Sequence, residues 1–214
     1  MKLYTFYTDS HISLLNNYFL SSIPKDDNFE VIIEKFPQEC SSGNFMESGW
    51  MQTMHKKISY VLRGIEENPN KVFIHSDCDV YFFKQFKDDL LNQMEDCDMI
   101  GIDDGGNTIS CGFFACRGNE KTKKLFETVL NNMSKFGNDQ HAMNHFRHDY
   151  IKSKILDLKY FNIHHIIGQQ VWNPNIDIPH LNKNILMMHA NWTVGVDNKS
   201  KLIDKVKEKL NDSI

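Results

Sequence analysis

Hydrophobic and polar positions change period along the chain, and each period predicts an element. Lys2–Tyr7 gathers aliphatic and aromatic side chains ahead of the polar turn Thr8-Asp9-Ser10, which predicts an opening strand. Ile12, Leu15, Tyr18 and Phe19 then recur at helical spacing as far as Pro24, with Asp9 or Ser10 placed to cap the helix. Residues 29–33 are an apolar run short enough for a buried strand. Over 47–67 the positions Trp50, Met51, Met54, Ile58, Val61, Leu62 and Ile65 fall on one helical stripe, which Asn68-Pro69-Asn70 stops. Residues 71–75 are again strand-like and run into Ser76-Asp77-Cys78-Asp79-Val80. Strand, helix and strand at this spacing predict a parallel crossover.

Two more strands are predicted over 99–102 and 109–116, around the turn-rich Asp103-Asp104-Gly105-Gly106-Asn107. Leu125, Phe126, Val129, Leu130 and Met133 predict a helix over 120–136 that Gly137 ends, and Asn138 caps a short helix carrying Asp139, Gln140 and Met143. The pattern is weaker over 155–179, where short strands are placed around 163–167. Residues 185–188 form a last strand ending at His189, followed by an amphipathic helix over 199–210. Alternating strands and helices without repeat or linker predict an α/β fold. The expectation is one domain over 1–214, with a mostly parallel central sheet flanked by helices.

Composition narrows the class. The 214 residues are 41% hydrophobic, enough for one core, and the net charge of -4 argues against a general attraction to nucleic acid or anionic membrane. No apolar run approaches the roughly 18–20 residues that span a bilayer, and the first residues lack a signal-peptide layout, so a soluble, cytoplasmic protein is expected. Five cysteines without Cys-x-x-Cys spacing read as reduced thiols.

Chemistry concentrates where a buried strand ends. Open α/β sheets bind ligands at the carboxyl edge, and Asp77-Cys78-Asp79 sits there. Residues i and i+2 of an extended segment share a face, so both carboxylates can approach one divalent ion. Hard oxygen ligands suit Mg2+ or Mn2+, and the imidazole of His189, which ends another predicted strand, tilts the choice to Mn2+. Taken without His189, the two aspartates read equally well as a solvated turn or N-cap pair. Asn191, Gly195 and Lys199 follow His189 and offer an amide, a flexible backbone and a cation to phosphate oxygens. Trp172 and Trp192, flanked by polar residues, are candidates for stacking on a sugar face, whereas Trp50 reads as core. Asp139-Gln140 reads equally as the first turn of a helix, and Asp103-Asp104-Gly105-Gly106 as a solvated turn with sugar-hydroxyl contact as the alternative.

The series Asp77-x-Asp79-Val80-x-Phe82, Gly112-Phe113-Phe114, Asp139-Gln140 and His189-Ala190-Asn191 with Gly195 and Lys199 resembles the GT-A fold nucleotide-sugar glycosyltransferases. It is most similar to the retaining family 77 type and its small single-domain relatives. The resemblance implies that Asp77 meets the donor ribose or the metal, while Asp79 and His189 hold Mn2+ against the diphosphate. It further implies phosphate contact by Lys199, the backbone near Gly195 and Lys57, and nucleotide contact by Thr8 and Asp9. Ser110, Cys111, Asp103, Asp139 and Gln140 would face the sugar. The donor implied is a UDP-sugar and the acceptor a hydroxyl of a glycan or other molecule.

Two other readings stand beside this one. A haloacid-dehalogenase-like phosphatase also carries a strand followed by Asp-x-Asp, with Asp77 as nucleophile, but there the motif follows the first strand and here about 70 residues precede it. A non-catalytic nucleotide-sugar-binding module would bind donor without turnover.

Overall fold

The computed structural model describes residues 1–179 and 181–211. Its strands are β1 (Lys2–Tyr7), β2 (Glu30–Lys35), β3 (Val72–Ser76), β4 (Val80–Phe82), β5 (Met99–Asp103), β6 (Ile109–Arg117), β7 (Ser153–Ile155), β8 (Tyr160–Asn162) and β9 (Met187–His189). Six of them form the central sheet in the order β2-β1-β3-β6-β5-β7, and the other three a small sheet in the order β4-β9-β8. In the central sheet β6 alone runs against its neighbours; the pairs β1–β2, β1–β3 and β5–β7 are parallel.

The helices are α1 (Ile12–Leu14) and α2 (Leu20–Ser22), joined by a π-helical turn Leu15–Phe19, then α3 (Trp50–Glu67), α4 (Lys87–Met94), α5 (Glu120–Phe136), α6 (Asp139–Tyr150), α7 (His164–Ile167) and α8 (Val196–Asn211). α3 starts at Trp50, the first residue of its apolar stripe and later than the predicted range of 47–67, because Gly49 turns the chain at φ 87; a Cβ there would lie 2.0 Å from the Glu39 carbonyl oxygen. Only glycine fits that turn. Asn119 and Thr122 form a capping box at the start of α5, and Gly137 closes it at φ 83. Asn138 accepts from the His141 amide to cap α6.

Because strand side chains alternate faces, adjacent residues of the central strands enter different cores. Tyr4, Phe73, Met99 and Phe114 pack under α3, α5 and α6, while Leu3, Ile74, Ile100 and Phe113 pack against Phe19, Leu90, Tyr160 and the α8 residues Leu202 and Ile203. Each fully buried Phe or Leu contributes about 1.5–3 kcal/mol of transfer free energy. With both faces covered, polar chemistry is confined to the sheet's edges and ends. Within 163–167, where short strands are predicted, His164–Ile167 form α7 instead; a short apolar run does not separate the two conformations.

Candidate active site

Two strand registers bring the site together. β3 leaves the central sheet at Ser76, the Asp77 amide donates to the Gly112 carbonyl at 2.7 Å, and the chain enters β4 at Val80. β4 pairs antiparallel with β9 so that Val80 faces His189, and the Ala190 amide donates to the Asp79 carbonyl at 2.9 Å. An imidazole more than a hundred residues away in sequence is thereby set beside the two aspartates. Gly112 on β6 makes room for it: a Cβ there would lie 2.0 Å from His189 Cε1.

One ligand atom each of Asp77, Asp79 and His189 lies within 4.8 Å of the others. His189 Nε2 is 3.3 Å from Asp79 Oδ1. Asp77 Oδ1 and Asp79 Oδ1 are both buried and accept no hydrogen bond, a state that buried carboxylate oxygens rarely tolerate. Two bare carboxylate oxygens and an imidazole are a donor set that fits a divalent cation of the Mn2+ or Mg2+ type.

The remaining oxygens are held by lysines. Lys199 Nζ lies 2.5 Å from Asp79 Oδ2 and also donates to the Ala190 carbonyl at 2.9 Å. Lys57, on α3 and 3% exposed, bridges Asp77 Oδ2 at 3.0 Å and Asp139 Oδ2 at 3.4 Å. Burial pushes the Asp79 carboxyl up, but Lys199 and then His189 outweigh it and hold this group well below the usual carboxylate range. Asp77 is likewise lowered, burial being offset first by Lys57 and then by His75. Burial would lower the Lys57 ammonium, yet Asp77 and Asp139 raise it, so it stays charged. His75 is fully buried with Nε2 3.6 Å from Asp77 Oδ1, and desolvation lowers its pKa, leaving a neutral imidazole behind the motif.

A cavity of about 450 Å³ opens over this floor. Of the residues singled out from sequence, Thr8, Lys57, Asp77, Asp79, Ser110, Cys111, Asp139, Gln140, His189, Asn191, Gly195 and Lys199 all line it. Asp9 and Asp103 do not. Asp9 is exposed and pairs with Lys35 at 2.6 Å, while Asp103 turns to His164 and His165. The cavity residue is the neighbouring Asp104, which the sequence offers only within the turn Asp103-Asp104-Gly105-Gly106, with sugar-hydroxyl contact as that turn's alternative reading. Its Oδ2 accepts from Gln140 Nε2 at 2.6 Å, and its Oδ1 from Asn191 Nδ2 at 2.5 Å and Trp192 Nε1 at 3.0 Å. Asp104 thus ties the start of α6 to the segment between β9 and α8. Gln140 Oε1 completes its own anchoring by accepting from the Cys111 amide at 3.1 Å.

The tryptophans divide differently from the sequence expectation. Trp172 is buried in the core and donates to the Ile176 carbonyl at 3.1 Å, so it offers no face to a sugar. Trp192 and Trp50 both line the cavity, the latter edge-on to Phe45. The thiols of Cys78 and Cys111 are pushed well up by burial and by nearby carboxylates, which leaves them protonated and unreactive.

This architecture is that of the GT-A glycosyltransferases: a mostly parallel sheet with one reversed strand, and paired acids at the end of β3. Over residues 25–203 the chain matches the nucleotide-diphospho-sugar transferase family, and it belongs to that family. No curated protein matches it in sequence. Among solved structures it is similar to a glycosyltransferase involved in glycosylation of the major capsid of the virus PBCV-1, with 10% identity and a TM-score of 0.62 over 95% of this chain and 98% of that one. The glycosyltransferase GlyE of Streptococcus pneumoniae TIGR4 aligns at 12% identity and TM-score 0.60, covering 99% of this chain and 62% of that one. The galactosyltransferase LgtC, solved with donor and acceptor sugar analogues, aligns at 10% identity and TM-score 0.54, covering 88% and 86%. Among the described residues no helix is long and apolar enough to cross a membrane.

Proposed function

We propose that the chain transfers a sugar from a UDP-sugar to a hydroxyl of a glycan or other acceptor, with Mn2+ (or Mg2+) as cofactor and with retention at the anomeric carbon. The observation that carries this reading is the pair of buried, unpartnered oxygens on Asp77 and Asp79, with the His189 imidazole beside them. These three residues would hold the ion. When bound, it supplies Lewis-acid stabilisation of the negative charge that develops on the departing diphosphate.

The other residues bind and orient. Lys199 and the Asn191 amide line the cavity next to the metal ligands and, with the backbone at Gly195 (φ 89), are placed to take phosphate oxygens. Thr8, which follows β1 and lines the cavity, is positioned for the nucleoside. Lys57 keeps Asp77 and Asp139 in place rather than reaching the donor. Ser110, Cys111 and Gln140 present polar groups to the sugar, and Asp139 supplies a carboxylate near the positively charged anomeric centre. In a retaining transfer the acceptor enters on the face the diphosphate leaves, and a departing phosphate oxygen takes the acceptor proton. No protein base is then required.

The phosphatase reading is disfavoured by the family match and by Lys57, which engages the carboxylate that would have to attack. The test is calorimetry of the wild type with a panel of UDP-sugars with and without Mn2+, coupled to an assay for released UDP. Binding and UDP release that need Mn2+, both lost in Asp79→Ala with the fold intact, are expected. Absence of both in the wild type overturns the proposal, and donor binding without turnover on any acceptor supports a binding module instead.

A further inference from the structure

A second set of metal-ligating side chains lies at the end of β5, outside the cavity lining. Asp103 Oδ2 is 3.5 Å from His165 Nε2 and 4.0 Å from His164 Nε2, and one ligand atom of each residue lies within 4.8 Å of the others. A tetrahedral ion at about 2.0–2.1 Å from its ligands sets them about 3.3 Å apart, so the Asp103–His165 edge is nearly formed and small side-chain rotations close the rest.

The surroundings prepare these atoms. His164 Nδ1 meets Asn162 Oδ1, an oxygen that only accepts, so Nδ1 carries the proton and Nε2 keeps its lone pair. The same asparagine donates Nδ2 to the Asp103 carbonyl at 2.7 Å, orienting two of the three residues at once. His165 is 9% exposed, and its Nε2 is buried with no hydrogen-bond partner. Its Nδ1 receives only a long contact of 3.4 Å from the Asn162 amide, so little is lost when the Nε2 proton moves to Nδ1 and the freed lone pair turns to an ion. Gly105, at φ 89, keeps the open side clear: a Cβ there would lie 3.4 Å from His164 Nε2 and 3.1 Å from Gln169 Nε2.

We propose that Asp103, His164 and His165 form a second metal site, separate from the donor cavity, for a borderline transition ion of the Zn2+ type. Two imidazoles with one carboxylate match zinc ligation, whereas the two carboxylates and one imidazole of the cavity favour a harder ion. The ion would clamp the end of β5 to α7 and so steady the turn that carries Asp104.

The experiment uses Zn2+ alone, by equilibrium dialysis and calorimetry on the full chain. Asp79→Ala silences the cavity site and should still bind one Zn2+, and Co2+ in its place should give the visible absorption of a tetrahedral centre. Adding His164→Gln and His165→Gln to that background should weaken Zn2+ at least tenfold and remove the absorption, with circular dichroism reporting the fold. If the triply substituted chain fails to fold, Asp103→Asn in the Asp79→Ala background carries the same expectation. A folded Asp79→Ala protein that binds no Zn2+, or unchanged affinity after loss of the histidines or of Asp103, overturns the site. Mn2+-dependent donor binding by the wild type is a separate readout, so this site and the transferase reading can fail independently.

Discussion

The two oxygens of Asp79 meet different partners: Oδ2 is neutralised by Lys199, and Oδ1 looks to His189 with nothing bound to it. Removing His189 takes one ligand of three, so His189→Ala should weaken Mn2+ at least tenfold, about 1.4 kcal/mol, without unfolding the chain; calorimetric titration reads this directly. Lys199 acts on stability as well. Because the folded state holds the Asp79 carboxyl below its ordinary value, the ionised group stabilises the fold above the carboxylate range, and that stabilisation is lost as pH falls through the depressed value. Lys199→Met removes the largest influence holding it down, so metal-free protein should lose about 3 kcal/mol near neutral pH and unfold in acid at a higher midpoint. Coincident acid-denaturation curves for variant and wild type would refute the pairing. At this scale the sequence was legible where acids end a buried strand, as at Asp77 and Asp79. It was misleading at Asp103: the register shift between Gly101 and Asp103 interrupts the alternation that says which carboxylate faces the cavity. Lys57 reads from the resemblance as a phosphate partner; its place as a buried counter-ion of Asp77 and Asp139 is not legible in the sequence, since these two partners lie on separate elements.

The approach of β6 to β9 depends on the missing side chain at Gly112. Gly112→Ala should push His189 away from Asp79, lower Mn2+ affinity at least tenfold and destabilise the fold by about 1–3 kcal/mol, measured by titration and by denaturant unfolding. Wild-type metal affinity in that variant would mean that His189 does not ligate. Element legibility followed the strength of the pattern. α3 and α5 carry long apolar stripes and were readable nearly to their ends, the start of α3 being displaced by the Gly49 turn. α4 went unread because only Leu90 and Met94 of its eight residues are buried, too few to define a face. β4 and β8 are three residues long and owe their existence to pairing with β9, which no local pattern reports.

Across the whole molecule all five cysteines are buried and unpaired, Cys78, Cys97, Cys111 and Cys116 within the two cores on opposite faces of the sheet and Cys40 beside the cavity. A thiol reagent should therefore modify Cys97 and Cys116 slowly in the native protein and all five cysteines after denaturation; fast native labelling of either would show that its core opens. The α/β class and the parallel crossover could be read from the order of elements. The reversed direction of β6 against β5 follows from the short turn over 104–108 that joins them as a hairpin, whereas its pairing with β3, far off in sequence, is set by burial and is not locally legible.

Among the described residues, the cavity sets the carboxylates of Asp77, Asp79, Asp104 and Asp139 against the ammonium groups of Lys57 and Lys199, a surplus of two negative charges. A diphosphate arriving alone is repelled by that surplus, whereas a divalent ion cancels it. Cation and donor should therefore bind with positive cooperativity, each tightening the other by the same factor, and the order of addition should favour the cation as the first to enter.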